Sequence, residues 1–149
     1  MSPSPRGDAP GAGADPRVAF AFPGVGVTPC GSEPGFLAAN RATVAPYLRE
    51  GSAWAGVDLE EALEVEASAE LAPRAFQLLT YAFSCAAAAV YRGAGARPAW
   101  IAGYSSGIYA ALWAAGCFSY ADGLALVAKA YELMAGFVAD KGPFAMGVV

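Results

Sequence analysis

The chain has no histidine and few cysteines, and both features narrow its function. Its 149 residues include no His and 3 Cys, at positions 30, 85 and 117. Without histidine the chain has no His-based metal site and lacks the usual general base of a serine enzyme. Three scattered cysteines without a secretory signal favour reduced thiols in the cytoplasm. A Ser-His-Asp triad built from these residues alone is excluded.

Charge is also scarce, and this limits the partners we expect. Charged residues make up 15% of the chain, the net charge is −4, and the sequence contains no basic cluster. Nucleic acid is therefore not an expected partner. The best candidate for a membrane span, residues 76–91, is short and is interrupted by Gln77, Thr80 and Ser84. We accordingly expect no membrane partner either.

Apolar residues are abundant instead. They form 56% of the chain, and the mean hydropathy is +0.40, which is high for a free globular domain. Two interpretations remain open: Ala-rich helices buried in a core, or a surface that another polypeptide covers. The length corresponds to one domain or a large part of one.

The order of apolar segments predicts an α/β fold with short parallel strands and long flanking helices. Residues 1–16 are predicted to form a disordered tail, and residues 17–142 the α/β body. Residues 143–149 resemble a strand in which the sequence stops, so we expect an unfinished fold. The apolar run at 18–22 is typical of a buried parallel strand, and the turn at 23–26 follows its carboxyl end, where such sheets place ligand sites.

Helices are predicted between these strands from apolar periodicity and capping residues. Asp58 is expected to cap a short helix, Pro73 to lie in the first turn of a long one, and Ser119 with Asp122 to cap the last. The predicted helical segments are 35–50 with a break near Pro46, 58–65, a long one from residue 68 or 70 to about 92, and 119–135. A loop is predicted at 51–57.

Residues 99–116 carry the most informative motif. A short apolar strand at 99–102 leads into Gly103-Tyr104-Ser105-Ser106-Gly107, and an Ala-rich helical pattern follows. Strand, G-x-S-x-G turn and helix together are the context of a nucleophile elbow, and the turn is sharp enough to require glycine on both sides of the serine. Ser105 would then lie beside the free N–H groups at a helix start. A plain Gly-Ser turn is the alternative, because the chain has 18 glycines.

These motifs resemble the acyl-carrier-protein acyltransferase family, which comprises the malonyl-CoA transacylases and polyketide-synthase acyltransferase domains. V-A-F-A-F-P-G-V-G at 18–26 is similar to the family's first strand and F-P-G-Q-G loop. G-Y-S-S-G-I-Y-A-A-L-W-A-A-G-C-F-S at 103–119 is similar to its G-H-S-x-G-E-Y-A-A-L-x-A-A-G-x-x-S elbow. Residues 121–134 and 145–149 resemble the helix and strand that follow. The resemblance implies the large-subdomain half of that fold.

The resemblance also implies a reaction. Such enzymes, in fatty acid or polyketide biosynthesis, transfer an acyl group from acyl-CoA through a serine ester to the phosphopantetheine thiol of an acyl carrier protein. No bound cofactor or metal is implied. By motif match Ser105 is the nucleophile, and the backbone N–H groups of Val25 and Ser106 are the oxyanion donors.

Four positions depart from the family pattern. Val25 replaces its Gln, Tyr104 its His, Ile108 its Glu, and Ala130 the Arg that pairs with a malonyl carboxylate. Tyr104 and Ala130 are the candidate acyl-pocket residues. Because a buried carboxylate without a partner is costly, we expect a neutral acyl group rather than malonyl. The family's catalytic His lies beyond residue 149, so a complementary chain or C-terminal half is expected to supply it.

Three functions remain open. The first is this acyltransferase half, completed by a partner. The second is a non-catalytic scaffold that docks a carrier protein or a synthase subunit. The third is a hydrolase with a serine–aspartate dyad using Asp122 or Asp140, although Asp122 is predicted to be a cap.

Bulky and charged side chains near the motif have simpler predicted roles. Tyr104 is expected to pack beneath the elbow, Lys129 to be solvated, and residues 140–142 to form a turn. Core positions are predicted for the aromatic residues Tyr91, Trp100, Tyr109 and Trp113.

Overall fold

A computed structural model of the chain describes residues 15–25, 31–64 and 71–142. Most of the predicted tail (residues 1–14) and the predicted strand at 143–149 lie outside the described residues. The described elements, in chain order, are β1 (Asp15–Phe22), α1 (Glu33–Ala55), α2 (Leu59–Glu64), α3 (Pro73–Gly93), β2 (Pro98–Gly103), α4 (Gly107–Ala114) and α5 (Tyr120–Lys141). The predicted α/β class, with parallel strands and flanking helices, is confirmed.

Strands β1 and β2 pair in parallel, so their carboxyl ends lie side by side. The register places Ala21 opposite Ala102 and Phe22 opposite Gly103. A parallel pair needs a long crossover connection, which the helices between the strands provide. Strand β1 begins at Asp15, two residues before the predicted boundary, because the Asp15 N–H donates to the Arg97 carbonyl at 2.8 Å.

Helix α1 is longer than predicted. It continues to Ala55, so the loop expected at 51–57 is wrong. Gly51 is buried where a Cβ atom would press on α2 and α3, which makes it a close packing position rather than a helix breaker. The helix ends at Gly56, whose φ is +75°. The irregular residue within it is Asn40 (φ −127°), six residues before the expected break at Pro46.

The predicted start of α2 and the capping of α5 are confirmed. The Asp58 carboxylate accepts the N–H groups of Glu60 and Glu61 at 2.9 and 3.0 Å. Ser119 and Asp122 form a reciprocal capping box at the start of α5. Helix α5 nevertheless continues to Lys141, so the expected end near residue 135 and the turn at 140–142 are wrong.

Helix α3 is the centre of packing. On one side it meets α1 and α2 through Leu79, Ala82 and Ala86. On the other it meets β1, α4 and α5 through Tyr81 and Cys85. The sheet and the elbow that follows it are thus supported by a buried helix.

Several apolar side chains lie on the surface instead. Trp100 is 69% exposed and Tyr91 is 54% exposed, so the core positions predicted for them are wrong, whereas Tyr109 and Trp113 pack against the core. The last turns of α5 carry further exposed apolar residues: Leu133, Met134, Phe137 and Val138. The apolar residues are therefore divided between a helical core and exposed surface positions. None of the helices within the described ranges has the length and apolar character to span a bilayer.

Candidate active site

The G-x-S-x-G segment forms a tight corner between β2 and α4. The Tyr104 N–H donates to the Phe22 carbonyl at 2.9 Å, which extends the parallel ladder by one residue. The Gly107 N–H then donates to the Tyr104 carbonyl at 2.9 Å, and the Ile108 N–H to the Ser105 carbonyl at 3.1 Å. Residues 103–107, called the elbow below, therefore turn directly from strand into helix.

Ser105 has the backbone geometry expected of a nucleophile on such a corner. Its φ is +51°, the only positive value for a non-glycine residue within the described ranges. A left-handed conformation costs an ordinary residue about 1–2 kcal/mol, and such strain is concentrated at functional sites. Ser105 is exposed, and its side chain makes no hydrogen bond to any of the described residues. The hydroxyl is therefore presented to solvent and is available to react.

The two flanking glycines are required by close backbone contacts. A Cβ atom on Gly103 would lie 2.5 Å from the backbone nitrogen of Ile108. A Cβ atom on Gly107 would collide with the carbonyl oxygen atoms of Phe22 and Pro23. Neither set of backbone atoms can move without disrupting the strand or the helix, which confirms the reason predicted for these glycines.

The loop after β1 passes directly beside the nucleophile. A Cβ atom on Gly24 would lie 2.9 Å from the Cβ atom of Ser105. The next residue, Val25, donates its N–H to the hydroxyl oxygen of Ser106 at 2.9 Å. The structure thus brings Val25, Ser105 and Ser106 together across 80 residues of sequence. Sequence reasoning missed the side chain of Ser106, although a second hydroxyl next to the nucleophile was a visible signal.

The start of α4 supplies the positive end of a helix dipole at the elbow. The helix has eight residues and no acidic residue in its first turn. Ile108, in the position of the family's Glu, is 44% exposed. Backbone N–H groups at a helix start favour negative charge nearby. The corner is therefore suited to an oxyanion.

The candidate acyl-pocket residues Tyr104 and Ala130, and neighbouring Lys129, differ in how far they are exposed. Tyr104 is 77% exposed, so the packing expected beneath the elbow is wrong, because its side chain points away from the core. Ala130 is half-buried on α5. Lys129 is exposed, as predicted, and pairs with Glu132 at 3.5 Å. Among the described residues, no Lys or Arg side chain forms a hydrogen bond with Ser105.

The two acids considered for a dyad are engaged elsewhere. Asp122 accepts the Ser119 hydroxyl at 2.6 Å within the capping box. Asp140 pairs with Lys141 at 2.7 Å in the last turn of α5. Because Ser105 bonds to neither, the structure gives the dyad no support.

The clearest pKa shifts lie in the core and not at the elbow. Burial raises the pKa of Tyr81, of Cys85 and of Tyr120 above their ordinary values. These groups surround one another between α3 and α5, so the shifts reflect packing. Across the described residues, no group of three or more acidic, cysteine or histidine side chains is placed to hold a metal ion.

Comparison with solved structures relates this geometry to known proteins. The malonyl-CoA:ACP transacylase of Synechocystis sp. PCC 6803 matches 79% of the chain with a TM-score of 0.67 and 30% identity. The acyl-carrier-protein S-malonyltransferases of Burkholderia pseudomallei and Vibrio cholerae match 74% and 78% of it, with TM-scores of 0.64 and 0.66 and identities of 33% and 31%. The chain spans 36–40% of the length of these proteins.

A shorter sequence match points in the same direction. Over 37 residues the chain is 62% identical to the polyketide biosynthesis protein ThaF of Burkholderia thailandensis, a match that covers 25% of this chain and 3% of that protein. No protein-family model matches the sequence.

The fold and the elbow together define the class of this protein. It has an α/β acyltransferase fold with a serine on a strained strand-to-helix corner. More narrowly, the chain resembles the malonyl-CoA:ACP transacylases, with 30–33% identity over 36–40% of their length. The resemblance predicted from the sequence is thereby confirmed.

Proposed function

We propose that this chain is the nucleophile-bearing part of an acyltransferase that moves an acyl group from acyl-CoA to the phosphopantetheine thiol of an acyl carrier protein. The observation that carries the proposal is the left-handed conformation of exposed Ser105 on its corner, with Gly24 packed beside it. The structural neighbours support it, because two of them are acyl-carrier-protein S-malonyltransferases.

The reaction follows from the groups at the elbow. The Ser105 hydroxyl oxygen attacks the thioester carbonyl and gives its proton to a base. The backbone N–H of Ser106, and that of Val25 when it is free, stabilise the oxygen that becomes negative. Collapse of the intermediate breaks the carbon–sulfur bond, and CoA leaves as a thiol after taking up the proton. The carrier thiol then attacks the Ser105 ester by the same steps in reverse.

The base in this proposal lies outside the 149 residues, because they include no histidine. Two observations support a complementary polypeptide. The chain spans two fifths or less of its structural neighbours. The exposed apolar residues in the last turns of α5, such as Leu133 and Phe137, would be covered by such a polypeptide.

A neutral acyl group is the proposed cargo. Ala130 stands where the family has a carboxylate-binding Arg, and neighbouring Lys129 is exposed and paired with Glu132. Burial of a malonyl carboxylate without a cationic partner is unfavourable. Acetyl-CoA is therefore expected to be a better donor than malonyl-CoA.

The test is acylation of Ser105, read by intact mass. The chain is incubated with acetyl-CoA or malonyl-CoA, alone and with the complementary C-terminal half of a transacylase from the same source. We expect one acetyl group on the wild type in the presence of that half, and none on Ser105→Ala. Ser119→Ala, which changes another exposed serine, is the matched control and should still be labelled. Persistent absence of acetylation with the partner present would contradict the proposal.

One observation favours the non-catalytic scaffold as a second candidate. The Val25 N–H, one of the two proposed oxyanion donors, is already bonded to the Ser106 hydroxyl. A scaffold would bind a carrier protein equally well as wild type and as Ser105→Ala, and would transfer no acyl group. Binding measured by calorimetry with both proteins separates the two functions.

A further inference from the structure

The Ser106 hydroxyl stands at the start of α4 but does not cap that helix. A serine in this position ordinarily accepts an N–H from the first turn of its own helix. Ser106 makes no such bond, and instead accepts the N–H of Val25 at 2.9 Å. The side chain is therefore committed to the loop after β1.

This bond occupies a donor that the proposed reaction needs. An amide N–H has a single hydrogen, so Val25 cannot donate fully to Ser106 and to an oxyanion at once. The start of the loop has further contacts. It is also held by the hydrogen bond from the Tyr104 N–H to the Phe22 carbonyl and by the close packing of Gly107 on Pro23. The main consequence of the bond is thus that the Val25 amide is occupied.

A second position for the hydroxyl is available. Ser106 lines a small cleft together with the hydroxyl-bearing residues Thr80 and Ser84 of α3. Rotation of the Ser106 side chain to another staggered χ1 position changes the direction of its hydroxyl without moving the backbone. Within the described ranges Ser84 makes no side-chain hydrogen bond, so the cleft offers a polar partner.

We propose that the Ser106 side chain is a positioning residue that blocks the Val25 amide in the resting protein, and that its rotation opens the oxyanion site. This inference rests on the function proposed above and adds the residue that regulates the same site. The loss of one neutral hydrogen bond changes an equilibrium constant by about fivefold. Removal of the hydroxyl is therefore expected to accelerate acylation of Ser105 by about fivefold.

The experiment compares wild type, Ser106→Ala and Ser106→Thr in the complete protein, including any separate chain that supplies the base. Amide hydrogen exchange of Val25, followed by NMR, reports the hydrogen bond directly and does not require catalysis. Single-turnover acylation by acetyl-CoA, followed by intact mass, reports the reaction. Ser106→Thr keeps a hydroxyl at the same position and is the matched control. Melting temperature checks that each variant is folded.

We expect exchange at Val25 to be about fivefold faster in Ser106→Ala and unchanged in Ser106→Thr. Acylation should be faster in Ser106→Ala than in the wild type. Equal exchange in wild type and Ser106→Ala would overturn the inference, as would equal or slower acylation in Ser106→Ala. If no variant is acylated, the proposed function fails, and the exchange rates still decide whether the hydroxyl holds the amide.

Discussion

The elbow and the tyrosine cluster, formed by Tyr47, Tyr81, Cys85 and Tyr120, differ in what holds them together. The cluster is held by side chains: the rings of Tyr81 and Tyr120 stack at 5.4 Å, and the Tyr120 hydroxyl donates to the Tyr47 carbonyl at 2.8 Å. The elbow is held by backbone contacts at glycines. Shifted pKa values occur in the cluster, whereas the elbow has the strained and exposed serine.

Shifted pKa values alone would therefore have identified the tyrosine cluster, and not the elbow, as the functional site. Perturbed pKa values often mark functional groups, but packed cores perturb them as well. Burial raises the pKa of Cys85 and Tyr81 because their charged forms lose water. At the elbow the reactive features are a hydroxyl and main-chain N–H groups, which do not ionise at the pH values at which proteins are folded. The geometry of the backbone is therefore the better guide in this fold.

The largest effect at the elbow is expected from Gly107→Ala. Its new methyl group would collide with the Phe22 and Pro23 carbonyl oxygen atoms, so we expect a loss of about 3 kcal/mol in the free energy of unfolding. Gly136→Ala in α5 is the matched control, because a Cβ atom there meets nothing. It should stabilise the helix by about 0.5–1 kcal/mol. Chemical denaturation measures both, and equal stabilities would contradict the crowding at the elbow.

The second effect is a loss of folding stability at high pH, caused by the tyrosine cluster. Folding raises the pKa of Cys85 above its ordinary 9.0 and that of Tyr120 above its ordinary 10.0. Stability is therefore fully present below pH 9 and is lost as pH rises, because the unfolded chain releases these protons first. Each such group removes at most about 1.4 kcal/mol per pH unit.

The free energy of unfolding between pH 7 and 11 measures this loss. Cys85→Ala removes one of the titrating groups, so it should flatten the slope that begins near pH 9. Cys117→Ala, which removes an exposed thiol, is the matched control. A slope that is the same in both variants would contradict the assignment to the cluster.

Relief of backbone strain at Ser105 is expected to change the stability less than either of the effects above. Ser105→Gly removes the Cβ atom that disfavours φ +51°, whereas Ser105→Ala keeps it. We expect the glycine variant to be more stable than the alanine variant by about 1 kcal/mol. Thermal unfolding of the two proteins measures the difference. A more stable alanine variant would show that Ser105 is not strained.

The smallest effect is expected where α5 leaves the tyrosine cluster. Leu133→Ala, at a position 63% exposed, should change the free energy of unfolding by no more than about 0.5 kcal/mol. Leu124→Ala is the matched change on the same helix. It removes a fully buried side chain and should cost about 2–5 kcal/mol. Similar losses in the chain alone would contradict the exposed placement of Leu133.

Much of the fold could be predicted because its signals are local. Asp58 and Ser119 cap helices through bonds to residues two or three positions away, so their roles are visible in sequence. The errors arose where packing overrides a local signal. The sequence predicts that Gly51 ends the helix. In the structure Gly51 packs against α2 and α3, and the helix continues past it.

The sequence by itself determined the parallel strands, the G-x-S-x-G corner and the absence of a histidine base, because apolar runs, glycines and composition act over a few neighbouring residues. Only the tertiary structure decided that Tyr104 and Trp100 are exposed and that the Ser106 hydroxyl meets the Val25 amide. That contact joins residues 81 positions apart. It exists because pairing of β1 with β2 brings both strand ends to one edge, a geometry that no local pattern specifies.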